Sequence, residues 1–134
     1  MQQFKFDFLS FDDEKKIKKE YENEKKLGNI DTDIIPILDK LNSIDGLATL
    51  YSCMGHSHKP KSYIVIKFKE SLSSKIIKII EDLLIETPNM RVDWEHSINC
   101  GTTDNEKEYK ATVLRGDLNC EYMYLFFNKL NNSI

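Results

Sequence analysis

Apolar residues recur along this chain with two different periods, and those periods divide it into eight elements. In SFDDEKKIKKEYENEKKLG, residues 10–28, the few apolar positions in a charged run are mainly Phe11, Ile17 and Tyr21. Ser10 as a cap, acids in the first turn and lysines before Gly28 suit the helix dipole and a glycine stop, which predicts a largely solvated helix docked along a narrow seam. NIDTDIIPILDKLNSIDG predicts a second helix, capped by Asp31 or Thr32, with Pro36 near its first turn and Ile34, Ile37, Leu38 and Leu41 on one face. LATLYS reads as a strand. In KSYIVIKFKE, Tyr63, Val65, Lys67 and Lys69 alternate with Ile64, Ile66 and Phe68, the mark of a strand with one face in the core.

The second half repeats the scheme. SLSSKIIKIIEDLLIETP carries apolar pairs at Ile76/Ile77, Ile79/Ile80 and Leu83/Leu84, the period of a well-buried helix ending before Pro88. MRVDWEHSI and YKATVLR predict strands on either side of a polar tip, CGTTDNEKE. GDLNCEYMYLFFNKL predicts a last helix, capped at Asp117, with Leu118, Tyr122, Leu125, Phe126 and Leu130 in one stripe. The order ααββαββα predicts a single α+β domain over residues 1–134, with a four-stranded antiparallel or mixed sheet covered by helices. Met123, Tyr124 and Phe127 fall partly off the stripe of the last helix. A second apolar face there points to a homo-oligomer contact, or else to a helix buried on two sides within the monomer.

Charge narrows the range of partners. The 19 Lys and Arg residues nearly balance 22 Asp and Glu, so no global basic field draws in duplex DNA or an anionic membrane. No apolar run approaches the roughly 20 residues that span a bilayer. The N-terminus lacks a basic start followed by an apolar stretch, and a cytoplasmic protein is expected. Three cysteines, far apart, argue against a disulfide framework. Richness in Lys, Ile, Asn and Glu points to a bacterial or phage source.

The candidate chemistry is concentrated in LYSCMGHSHKP, residues 50–60. Cys53 and His56 are spaced C-x2-H, and His96 and Cys100 are spaced H-x3-C, so a four-ligand zinc site can be drawn. The Ile-rich third helix argues that the core needs no metal. As a nucleophile Cys53 would need a base within reach, and no partner is identifiable; a small residue at a strand end, with no catalytic role, is the expectation. Gly55 and Pro60 suit a turn. Ser52, His56, Ser57, His58, Lys59 and Lys61 add side-chain donors beside exposed backbone amides, a concavity suited to an anion such as phosphate.

KLGNIDTDIIPILDKLNSIDGLATLYSCMGH resembles the tRNA wybutosine-synthesising protein 3 family at Lys26, Gly28, Asp31, Leu41, Asn42, Thr49, Ser52, Cys53 and Gly55. The resemblance implies an α+β fold and, in the family, methylation of a modified tRNA guanosine with S-adenosylmethionine. This chain has His56 where the family has an arginine, and Tyr51 where it has a second hydroxyl residue.

Trp94, His96, Lys110 and Arg115 are expected to complete a pocket with the Cys53 turn. Tyr51 or Trp94 would stack on a base, while Arg115, His56, His58 and Lys61 would meet phosphates. Each has a plainer reading: Trp94 as core, His96 bonded to backbone, Arg115 paired with Asp117 or Glu121. The expectation is a non-catalytic module without a cofactor that binds, and for a phage sequesters, a phosphorylated nucleotide-like molecule. The alternatives are an S-adenosylmethionine-dependent RNA methyltransferase and a zinc-stabilised structural domain.

Overall fold

A computed structural model describes residues 7–53, 62–100, 107–117 and 119–134, with the backbone alone for 51–53, 99–100 and 107–108. The elements are α1 (Phe11–Lys26), α2 (Ile35–Asn42), β1 (Leu47–Cys53), β2 (Ser62–Phe68), α3 (Ser73–Glu86), β3 (Arg91–Cys100), β4 (Lys107–Gly116) and α4 (Glu121–Ser133), with 3₁₀ turns at Thr32–Ile34 and Glu70–Leu72. The α+β order is the expected one.

Local chemistry sets most of the helix ends. Ser10 Oγ accepts from the Asp13 amide at 3.1 Å, as a cap should. Past Leu27 the chain reverses through Gly28 at φ +74°, a left-handed turn that disfavours a side chain. Asp31 opens the first 3₁₀ turn without a side-chain cap bond, and α2 begins only at Ile35, with Pro36 in its first turn where the missing amide has no helical partner to lose. The last helix departs from expectation. It starts at Glu121 rather than at an Asp117 cap, because Cys120 takes a left-handed conformation, φ 58°, that breaks the helical path.

The sheet is antiparallel throughout, in the order β1-β2-β4-β3. β1 is an edge strand whose outer side is blocked by α2. The Thr49 amide donates to Asn42 Oδ1 at 3.0 Å, and Asn42 Nδ2 reaches Thr49 Oγ1 at 2.9 Å and Leu38 O at 3.0 Å. β3 is the opposite edge. One extra residue between Asp93 and His96 shifts its register against β4, and such bulges bend an edge strand away from further pairing.

The helical face of the sheet buries Leu47, Ile64, Ile66 and Leu114 against Ile37, Leu38 and Leu41 of α2, Ile76, Ile80 and Leu83 of α3, and Tyr122, Met123, Phe126 and Leu130 of α4. Met123 is therefore core, and Leu125 and Phe127 pack against the core; Tyr124 alone of the aromatic run is exposed. This is the helix buried on two sides, and its outer residues do not form the second apolar face expected of an oligomer contact. On α1, Ile17 and Tyr21 are buried while Phe11 lies in solvent.

The other face holds a second apolar cluster of Val65, Ala111 and Val113, and a third of Leu9, Ile17, Ala48 and Tyr109. β2 is thus buried on both sides, as an interior strand can be, rather than on one. Lys67 shows the consequence, since it is 2% exposed where alternation placed it in water. Its ammonium meets the Asp7 carbonyl, the Asp7 carboxylate at 3.3 Å and the Lys110 carbonyl at 3.2 Å, above the Tyr109 ring. Burying that charge is tolerable only because it is so met.

Candidate functional site

Register decides which candidate residues share a place. Cys53 pairs with Tyr63, Tyr63 with Arg115 and Arg115 with Arg91, so one rung crosses all four strands at the end where β1 finishes and β2 begins. On this rung the Arg115 guanidinium lies over the Tyr63 ring, 5.7 Å from its centroid, on the face away from α3 and α4. Arg115 and Arg91 are both exposed. Arg91 turns outward and donates to Pro88 O at 3.0 Å and Met90 O at 2.8 Å. Like charges on facing strand positions repel, and neither guanidinium is paired with a carboxylate among the described residues. Asp117, expected as a partner for Arg115, instead accepts from Asn89 Nδ2 at 3.1 Å.

Tyr51, Ser52 and Cys53 end β1 beside this rung, while Gly55, His56, His58 and Lys61 lie outside the described residues. The remaining candidates stand elsewhere. His96 is on the rung of Ala111, four residues from Arg115 along β4, or about 13 Å at strand rise. Its Nδ1 is 3.0 Å from Asp93 Oδ2, a side chain rather than a buried backbone group. Lys110 is farther, about 17 Å, and alternation puts it on the opposite face from Arg115. Trp94 packs against the main core. The single pocket expected from Cys53 to His96 and Lys110 is therefore not one place: Arg115 joins the Cys53 end, and Trp94, His96 and Lys110 do not.

The zinc arrangement fails on the same geometry. Cys100 pairs with Lys107, eight residues along β4 from Arg115, so its backbone is on the order of 25 Å from the Cys53 rung. Ligands about 2.3 Å from one ion cannot be drawn from both. Among the described residues no cluster of His, Cys, Asp or Glu is suited to a metal.

Tyr63 and Arg91 were not legible as site residues. The alternation in β2 placed Tyr63 on the face of Val65, yet only register brings it under Arg115. Behind the rung, on the helical face, Ser62 Oγ donates to Asp117 O at 2.6 Å and lies 3.0 Å from the Tyr122 hydroxyl. Burial pushes the Tyr122 phenol well above its ordinary range, with the Arg115 charge opposing. Burial likewise raises the Cys120 thiol, which makes it a poor nucleophile.

Four helices and a four-stranded antiparallel sheet, with Arg115 and Arg91 on one rung at its end, define a small α+β protein. The chain belongs to the YoqC prophage protein family, whose model matches residues 14–131. That match corrects the resemblance to tRNA wybutosine-synthesising protein 3: the family is a prophage one, and the tRNA methylation inferred from that resemblance loses its basis. No curated protein matches the sequence. The PH1069 protein from Pyrococcus horikoshii has a similar solved structure, 16% identical, with 88% of this chain and 90% of that chain covered and a TM-score of 0.44. No helix among the described residues is long and apolar enough to cross a membrane.

Proposed function

We propose that this prophage protein binds a phosphorylated, nucleotide-like small molecule at the Tyr63–Arg115 rung and withholds it from the host rather than converting it. The observation that carries the reading is the exposed Arg115 guanidinium, seated on an aromatic ring beside the Cys53 strand end and cross-strand from a second arginine. A ring 5.7 Å away attracts the guanidinium, whose planar fork suits a phosphate better than a lysine's point charge does. Arg91 stands on the facing strand position with its guanidinium on the Pro88 and Met90 carbonyls, a second positive charge on the same rung that favours an anion beside Arg115. Membership of a prophage family fits a protein that acts on a host's small molecules.

The test is titration calorimetry with a panel of mono-, di-, tri- and cyclic nucleotides, each mixture analysed afterwards for product. Saturable binding of at least one member with its full recovery is expected. Silence across the panel, or steady conversion of a bound member, would overturn the reading.

A further inference from the structure

The rung has a second layer behind it, and this layer has no part in touching a ligand. Ser62 and Gly116 are register partners one step beyond Tyr63 and Arg115, and both are buried on the helical face. Ser62 has one hydroxyl hydrogen. Its shortest contact, 2.6 Å to Asp117 O, takes that hydrogen and leaves the oxygen to accept from Tyr122 at 3.0 Å. The Tyr122 ring closes the gap on the other strand, where a Cβ at Gly116 would lie 2.4 Å from Tyr122 Cε1. One side chain of α4 thus touches both strands at the rung that carries Tyr63 and Arg115.

Resting on the binding site proposed above, we infer that Tyr122 is a positioning residue for it: the Tyr122 hydroxyl and Ser62 lock the end of β2 against β4, and so hold the Arg115 guanidinium over Tyr63. The phenol never reaches an anion, because it is 2% exposed on the opposite face of the sheet. Its effect passes through the backbone of Ser62 and Gly116 to the next residue of each strand.

Four proteins test this: the wild type, Tyr122→Phe, Arg115→Ala and Tyr21→Phe. The last removes a comparable hydroxyl bond, Tyr21 to Asp39 Oδ1 at 2.7 Å, between α1 and α2. Titrations use ADP, and the Arg115 Nε–H resonance is recorded without ligand. The expectation for Tyr122→Phe is a Kd for ADP raised about fivefold, the worth of one ordinary hydrogen bond, and a displaced Arg115 resonance. Tyr21→Phe should change neither. An unmoved Arg115 resonance and unchanged affinity in Tyr122→Phe would overturn the inference, as would equal effects from Tyr21→Phe. If Arg115→Ala binds ADP as the wild type does, the site itself is refuted; in that case, or if the wild type binds no ADP, the resonance alone decides whether Tyr122 orders Arg115. If Tyr122→Phe does not fold, Ser62→Ala breaks the same lock from the other side and is read in the same way.

Discussion

Replacing Asn42 by alanine should cost this fold far more than its position at the end of a short helix suggests. The Asn42 carboxamide is the outer partner of β1. It accepts from the Thr49 amide at 3.0 Å and donates to Thr49 Oγ1 at 2.9 Å, and Thr49 is 4% exposed. Without it the Thr49 amide is a buried donor with no acceptor, at about 1–3 kcal/mol, and the hydroxyl loses a bond worth about 0.5–1.5 kcal/mol. The loss is therefore on the order of 2–4 kcal/mol. For a chain of this length that corresponds to a fall in Tm of roughly 6–16 °C. Thr49→Val separates the two parts, since it removes the hydroxyl and keeps the amide bond, and should cost about 1 kcal/mol. Calorimetric melting of both variants and the double variant closes the cycle. An Asn42→Ala protein that melts within 1–2 °C of the wild type would refute the claim that this side chain closes the sheet edge.

Three further outcomes follow from other contacts. Glu14 accepts from Lys18 Nζ at 2.7 Å and from the Gly46 amide at 2.8 Å. Burial raises its carboxyl, but these donors outweigh burial and leave it below the ordinary value of 4.5. Its contribution is thus full above that value and lost as the pH falls through the lower folded value, so urea midpoints at about pH 6 and pH 3 should differ more for the wild type than for Glu14→Gln. Gly116→Ala forces a Cβ to within 2.4 Å of the Tyr122 ring, and overpacking of that kind should lower stability by about 1–3 kcal/mol in a denaturant melt. Lys67→Ala strips the buried ammonium from the Asp7 and Lys110 carbonyls and leaves a cavity, and should cost about 3 kcal/mol or more. Lys67→Met keeps the stem volume and should recover a large part of that loss; equal losses would show that packing of the stem is unimportant.

The helices were legible because each carries its own evidence, such as the Ser10 cap and Gly28 stop of α1, or the paired isoleucines that face the sheet from α3. The strands were legible as strands, but not as neighbours. That β2 lies inside the sheet, and not at its edge, is what buries Lys67, and no local pattern reveals strand order. The start of α4 was misplaced because Asp117 is an acceptable cap by composition, whereas the left-handed turn at Cys120 is a tertiary choice. The site divided for the same reason. Arg115 met the Cys53 end because both are strand ends, while His96 and Lys110 were separated from it by a register shift and by the alternation of one strand. His56, His58 and Lys61 belong to the stretch outside the described residues, and the sequence alone speaks for them.

Two single-cation deletions bear most directly on the account. Arg115→Ala and Lys110→Ala change the net charge equally, yet the two side chains stand about 17 Å apart along β4 and on opposite faces of the sheet. Titrated with whichever nucleotide the wild type binds most tightly, Arg115→Ala should lose binding at least tenfold, the scale of a charge-assisted phosphate contact, and Lys110→Ala should match the wild type. Equal losses would show that only overall charge matters, and an Arg115→Ala protein that binds undiminished would remove the sheet-end site altogether.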